Sequence, residues 1–389
     1  MSVAAKKNLL GGWKAVSIII GTAVGAGIFG LPFAFEKFGV LPSLVYLVVL
    51  AGVITLEMLL YLEVVLRTKE QHIITGYAAR YLGRWGKVVT TFTTTVGYYG
   101  ALVAYVIGAG RFLFTLLSPV LGGTEVAYGI IFLLVGSAVI LIGLKFLARA
   151  ELVMSVFLFI TIGIVLIKGI PHIAVANLLG FHPENFIYPF GPILFALGAA
   201  SAIPIIRPLI VGHEKHASRY VITGLLIPTA LYAIFATVVA GVTGKFTSEE
   251  SILGLVQVLG DGITVIAALF GVCTMFTSFL NLSYALRNMY IFDYKWHRAS
   301  AIVAVFAVPL ILYVFGLHSF ILVLSIVGGI MIGLEGVMVI LIHQRAKHRG
   351  NRTPEFTITL PGWLNVLLAS VFVAGMIYEA MFILGTYVH

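Results

Sequence analysis

Residues 21–33 read GTAVGAGIFGLPF, with four glycines and a proline inside an apolar segment long enough to cross a bilayer. In water a helix so interrupted would not hold, because glycine and proline are the two poorest residues in a helix interior. In a membrane, broken backbone is tolerated only where the freed N–H and C=O groups face protein or a water-filled cavity. The stretch therefore marks residues 24–30 as a candidate binding site built largely of main chain.

The rest of the chain has the composition that such a reading needs. Sixty per cent of residues are hydrophobic and only 10% are charged, against about 25% charged in soluble domains. The charges fall in short clusters between apolar runs of about 20 residues, the length that crosses a bilayer's hydrocarbon core. No cleavage site follows the first apolar run, so helix 1 is expected to serve as its own insertion signal. The single cysteine, Cys273, excludes a disulfide framework and a cysteine metal cluster. The net charge of +9 is spread over separate loops and forms no single stripe, so no nucleic-acid partner is expected; membrane lipid is.

Eleven spans are expected: 14–38, 41–66, 87–118, 125–146, 150–169, 188–211, 219–244, 258–287, 299–316, 318–343 and 361–385. Of the 24 Lys and Arg residues, Lys37, Lys168 and Lys245 fall on one side, Arg111 lies within a span, and the remaining 20 share the side of the N-terminus. That asymmetry places the N-terminus in the cytoplasm and, with an odd number of spans, the C-terminus outside. Two connections look amphipathic. Residues 71–86 suit the cytoplasmic interface. Residues 247–260 open with Thr247 and Glu250 in a capping-box spacing, followed by an apolar face of Ile252, Leu253, Leu255, Val256 and Leu259. That helix is expected to lie over the outer opening between bundles.

A second break occurs at 194–204, LFALGAASAIP. Gly198, Ala199, Ala200, Ser201 and Ala202 precede Pro204 as the glycines precede Pro32. An odd number of spans separates the two breaks, so the second half enters the membrane inverted. Close helix packing alone also selects small residues, but paired interruptions in inverted halves mark a transporter's central site. Exposed helix ends there offer amides to an anion and carbonyls to a cation.

The stretch GTAVGAGIFGLPFAF at 21–35 resembles the first helix of the amino acid/auxin permease family, whose members carry neutral or aromatic amino acids with sodium or protons. The resemblance covers essentially the whole chain. It implies an all-α integral membrane protein of the leucine-transporter fold: a 5+5 inverted repeat with helices 1–5 at 14–169, helices 6–10 at 188–343, and helix 11 at 361–385. It also implies a single transporter domain, functional as a monomer in the plasma membrane, with an amino acid as its small-molecule partner. No catalytic residue and no cofactor beyond the coupling ion, Na+ or H+, is expected.

The resemblance places the substrate carboxylate at Gly25, Ala26 and Gly27, with Ile28 adjoining, and the ammonium at carbonyls around Phe195, Ala196 and Gly198. Ser201 would add a hydroxyl, and Tyr98 and Tyr99 would close over the substrate. A sodium ion would sit between Gly21 and Val24 of helix 1 and Thr274, Thr277 and Ser278 of helix 8. The last three share one helical face, and an all-oxygen set suits a hard cation. The competing account is that these hydroxyls bond their own helix.

Ionisable residues within spans are functional candidates. Glu57 and Glu335 lie near mid-membrane, where a carboxyl favours its neutral form and can carry a proton. Glu63 is expected to pair with Arg67 at the interface, and Glu379 to be solvated near the outer end of helix 11. Arg111 needs a partner the sequence does not name. Against an enzyme, the nearest signature, His213-Glu214-Lys215-His216, lacks the H-E-x-x-H spacing. A channel or a non-transporting amino acid sensor with the same fold is the alternative.

Overall fold

The computed structural model describes residues 3–142, 160–251, 253–255 and 260–387, and among these there is no β-strand. Lys145, Arg149, the first half of the fifth expected span (150–159), and Ile252, Val256 and Leu259 lie outside the described residues. The helices are α1 (Val3–Ala23), α2 (Gly27–Phe38), α3 (Val40–Leu66), α4 (Ile74–Leu121) and α5 (Glu125–Ile142). There follow α6 (Ile160–His172), α7 (Phe190–Leu197), α8 (Ala202–Ile206), α9 (Ala217–Thr243) and α10 (Asp261–Asn288). The last four are α11 (Arg298–Val314), α12 (Phe320–Ser325), α13 (Gly333–Arg349) and α14 (Gly362–Tyr387). A π-helical segment, Ile326–Ile332, joins α12 to α13.

Among the described residues seven helical stretches are long and apolar enough to cross a membrane, and the pair α1–α2, bent by 57°, forms a further broken span. The fourth, fifth and ninth expected spans are met by shorter apolar helices, Glu125–Leu141, Ile160–His172 and Arg298–Val314. Residues 71–86 continue into α4 through a kink at Gly83, whose φ of 76° is the left-handed backbone that glycine adopts without penalty. The cores of these helices are hydrophobic on most faces, as membrane burial demands.

Packing divides the helices into two groups. α9 packs on α1, α2 and α3, while α10 packs on α4 and α5. The broken helices α1–α2 and α7–α8 lie between them, α2 against α7.

Two expectations are corrected, and a third, the Glu63–Arg67 pair, is met and extended. The capping box does not form: the Thr247 hydroxyl is taken by Thr243 and the Gly244 carbonyl, and Glu250 turns to Arg111. Glu379 is not solvated; its side chain is fully buried against Gly329 of the π-helical segment. Glu63 is more than one half of a surface pair. Buried, it meets Arg67 at 2.7 Å and His343 at 2.9 Å, and accepts from the Ile358 amide at 2.9 Å, so it fastens α3 to α13 and to the chain beyond it.

Candidate functional site

α1 stops because its backbone ladder ends with the Val24 amide on the Ile20 carbonyl at 2.7 Å. The next bond, Phe29 N to Ala26 O at 3.1 Å, is the first turn of α2. The last carbonyls of α1 are thus left without helical amides, as at any helix end. α7 stops at Leu197; Gly198 has ψ of 82°, and the ladder resumes with Ala202 N on Ala199 O at 3.0 Å.

The two breaks touch main chain to main chain. A Cβ on Gly27 would sit 2.6 Å from Ala196 Cα, so only glycine allows this approach. Tyr232, buried in the middle of α9, fastens the pair: its hydroxyl lies 2.7 Å from the Ala23 carbonyl and 3.1 Å from the Ala196 carbonyl. Its one proton is shared between a carbonyl of each broken helix. The sequence reading missed Tyr232, although a tyrosine inside an apolar span needs a partner for its hydroxyl.

α10 flanks the break through Ser278, whose Oγ is 3.4 Å from where a Gly25 Cβ would be. Ser278 also meets the hydroxyl of Tyr105, two helical turns beyond Tyr98 on α4. Thr274 and Thr277 are buried, and Thr277 donates to the Thr274 carbonyl at 3.0 Å. Gly21 is exposed, with no atom within 4 Å of its Cβ position, and Val24 is half-buried. Of the three expected cation ligands on α10, Ser278 has its hydroxyl against the break, in which Val24 itself lies.

Ala26 and Ile28 are buried, Phe195 and Gly198 half-buried, and Ser201 exposed. The two tyrosines of α4 part company. Tyr98 is half-buried and faces Glu335 and Tyr61. Tyr99 donates to the Ala304 carbonyl of α11 at 3.1 Å and accepts from Tyr290 at 2.9 Å, so its hydroxyl is engaged away from the breaks. Glu57 of α3 and Glu335 of α13 face each other, and one Glu57 oxygen is buried without a hydrogen-bond partner.

One side of the breaks is sealed. Phe29 packs its ring 5.5 Å from Phe112, 5.8 Å from Phe270 and 6.5 Å from Phe235. Above this cluster Arg111 meets Glu250 at 2.6 Å, Glu249 at 3.0 Å and Glu125 at 3.6 Å, and donates to the His318 carbonyl at 3.1 Å. Glu249 accepts in turn from Ser319 at 3.0 Å and the Phe320 amide at 2.9 Å, while Ser251 donates to the Phe29 carbonyl. Burial pushes the Glu250 carboxyl up, against the pull of Arg111 beside it. The opposite end is fastened at its periphery, where Arg207 donates to the carbonyls of Thr68 at 2.6 Å and Lys69 at 3.0 Å.

The chain matches the tryptophan/tyrosine permease family over residues 6–381. It is 25% identical over 330 residues to glutamine transporter 2 of Aliivibrio fischeri, covering 82% of this chain and 84% of that one. Tyrosine-specific transport system 1 of Haemophilus influenzae is 23% identical over 379 residues, covering 91% and 94%. The crystal structure of MhsT in complex with L-phenylalanine superposes with a TM-score of 0.56 at 15% identity, covering 94% of this chain and 97% of that one. That likeness shows a shared fold, of the leucine-transporter type. With residues 6–381 of 389 matched, the chain belongs to the tryptophan/tyrosine permease family.

Proposed function

We propose that the protein is a secondary active transporter that carries a neutral amino acid, aromatic in the first instance, across the plasma membrane by alternating access. The observation that carries this reading is the junction of the two broken helices, in main-chain contact at Gly27 and Ala196 and bridged by Tyr232. Amides at 25–27 suit a carboxylate, and carbonyls near 195–198 an ammonium, so a zwitterion is held without a buried charged side chain. The name of the Haemophilus relative favours tyrosine, and that of the Aliivibrio relative keeps a polar neutral side chain in play. The family's placement within the wider amino acid/auxin permease group is part of the same proposal.

With the N-terminus in the cytoplasm, Arg111, Glu125, Glu249 and Glu250 lie on the outer side, and Arg67, Arg207 and Arg352 on the inner side, in keeping with the positive-inside rule. The sealed Phe29 cluster and the exposed Gly21 and Ser201 then correspond to an inward-facing form. Alternating access follows if α1–α2, α3, α7–α8 and α9 rock against α4, α5, α10 and α11.

The coupling ion in this reading is the proton, with sodium the second possibility. Thr277 already bonds its own helix, and Gly21 stands clear of neighbours on its Cβ side, whereas Glu57 and Glu335 offer carboxyls beside Tyr98. In proteoliposomes, labelled tyrosine uptake is expected to follow an imposed proton gradient and to change less than about twofold in Thr277→Ala. Sodium-driven uptake that falls about tenfold or more in that variant, a loss of roughly 1.4 kcal/mol of binding, would put sodium between α1 and α10 instead.

A further inference from the structure

We propose that Glu379 of α14 is a proton-binding site, loaded in the conformation described here, whose occupancy is linked to the position of α7. The linkage to transport rests on the reading above; the site itself does not. Glu379 has 0% exposure, and neither carboxylate oxygen has a hydrogen-bond partner. Ser325 lies beside it without a bond of good geometry. An ionised carboxylate so placed would lose its hydration with nothing in return, a cost that buried acids avoid by taking up a proton.

Among the described residues the surroundings offer no counter-charge. Tyr46 of α3 faces the carboxyl, and Tyr188 meets Phe382 of α14 edge to face with ring centroids 5.0 Å apart. The π-helical segment presents Gly329, α12 presents its last residue Ser325, α7 presents Phe190 against Gly375, and α13 presents Gly333 against Met376. None of these is a base or a second acid.

The pocket is made by the backbone. A Cβ on Gly329 would lie 2.7 Å from Glu379 Cγ, so the carboxyl arm occupies the space that a side chain there would fill. Gly329 belongs to Ile326–Ile332, and π-helical insertions of this kind are frequent at functional sites. On its other flank the same segment, together with Ser325 just before it, meets α7 through glycine. A Cβ on Gly191 would lie 2.5 Å from Ser325 Cα, and one on Gly328 would run into the Gly191 carbonyl. Because these contacts are main chain to main chain, a shift of α7 must displace the segment that encloses Glu379. Displacement opens the carboxyl to water and to proton release, and protonation favours the closed packing in return, since such coupling is reciprocal. Along the same helix Glu335 lies six residues beyond Gly329, roughly 9 Å at 1.5 Å per residue, so Glu379 is a station separate from the Glu57–Glu335 pair.

Infrared spectroscopy of the protein in lipid nanodiscs tests the site without requiring transport. At pH 7 the carboxylic-acid C=O stretch of the wild type is expected to lose one component in Glu379→Gln and to keep it in Glu379→Asp. Identical carboxylic bands in wild type and Glu379→Gln would mean an ionised Glu379 and overturn the proposal. In proteoliposomes, wild-type tyrosine uptake should fall up to about a hundredfold per pH unit on its alkaline limb, the limit for two required protons, one at Glu379 and one at the Glu57–Glu335 pair. Glu379→Gln should reduce that slope to about tenfold per pH unit or less, and Glu379→Asp should shift its midpoint. Superimposable pH profiles for wild type and Glu379→Gln would overturn the linkage. Absence of uptake by the wild type would sink the transport reading while leaving the infrared result to decide the site.

Discussion

Gly27→Ala is expected to abolish amino acid binding and to lower uptake by at least about a hundredfold. The added methyl would lie 2.6 Å from Ala196 Cα, 2.9 Å from its Cβ and 3.1 Å from its N. Two of these are main-chain atoms that cannot rotate away, so α2 must move off α7. Overpacking of a tight interface typically costs about 1–3 kcal/mol. Here the displaced groups are also the ones that would bind, and the Tyr232 hydroxyl can no longer reach both carbonyls. Gly52→Ala, on α3 with nothing within 4 Å of its Cβ position, is the control and should bind and transport like the wild type. Equilibrium binding of labelled tyrosine to the purified protein, alongside its melting temperature, separates loss of the site from loss of the fold. Tyr232→Phe is the milder companion: it leaves two buried carbonyls without their donor, at about 1–3 kcal/mol, and should weaken binding with the fold retained.

Arg111→Ala is expected to destabilise the sealed side by about 3 kcal/mol, the low end of the range for breaking a buried pair, since Arg111 itself is partly exposed and Glu249 more so. The larger part comes from Glu250, which is 2% exposed and would lose its cation. The pH dependence has a definite sign. Burial already holds the Glu250 carboxyl above its usual range, with Arg111 opposing; without Arg111 it rises further. A carboxyl raised in the folded state is accommodated below its unfolded pKa and penalised as pH rises, so the variant's defect should deepen from acidic to neutral pH. Cysteine-accessibility labelling at Ser251, which is fully buried against Phe29, reads the opening directly: Ser251→Cys should label faster once Arg111 is removed. Unchanged labelling would mean that the arginine cluster does not hold this side shut.

The breaks were legible in the sequence because glycine and proline dictate backbone locally, and no distant residue can restore a helix through GTAVGAG. The apolar runs were legible for a similar reason, since each carries its own hydropathy, and among the described residues seven helices and one broken pair are long and apolar enough to cross a membrane. Long-range pairings were not legible. Arg111 meets Glu249 and Glu250 across 138 and 139 residues, and that pairing overrode the local capping box because a buried carboxylate such as Glu250 needs a counter-charge more than a helix start needs a cap. Glu379 was misplaced for a different reason. Its burial depends on a π-helical segment in a neighbouring helix, and a wider turn shifts the face that follows it in a way an ideal helical period does not foresee. Tyr98 and Tyr99 show the limit of depth as a criterion. Adjacent residues on a helix point about 100° apart, and only the partners of Tyr99, Tyr290 just beyond α10 and Ala304 on α11, reveal that its hydroxyl turns away.

The central claim is that the joined breaks of α1–α2 and α7–α8 hold an amino acid. Uptake of labelled tyrosine, tryptophan, phenylalanine and glutamine into proteoliposomes, with an imposed proton gradient and with Gly27→Ala beside the wild type, tests it most directly. The expected result is saturable uptake of at least one of these amino acids, competed by the unlabelled compound and lost in Gly27→Ala while the variant still melts cooperatively. Saturable uptake that Gly27→Ala leaves intact, or no uptake and no binding of any of the four by the folded wild type, would contradict it.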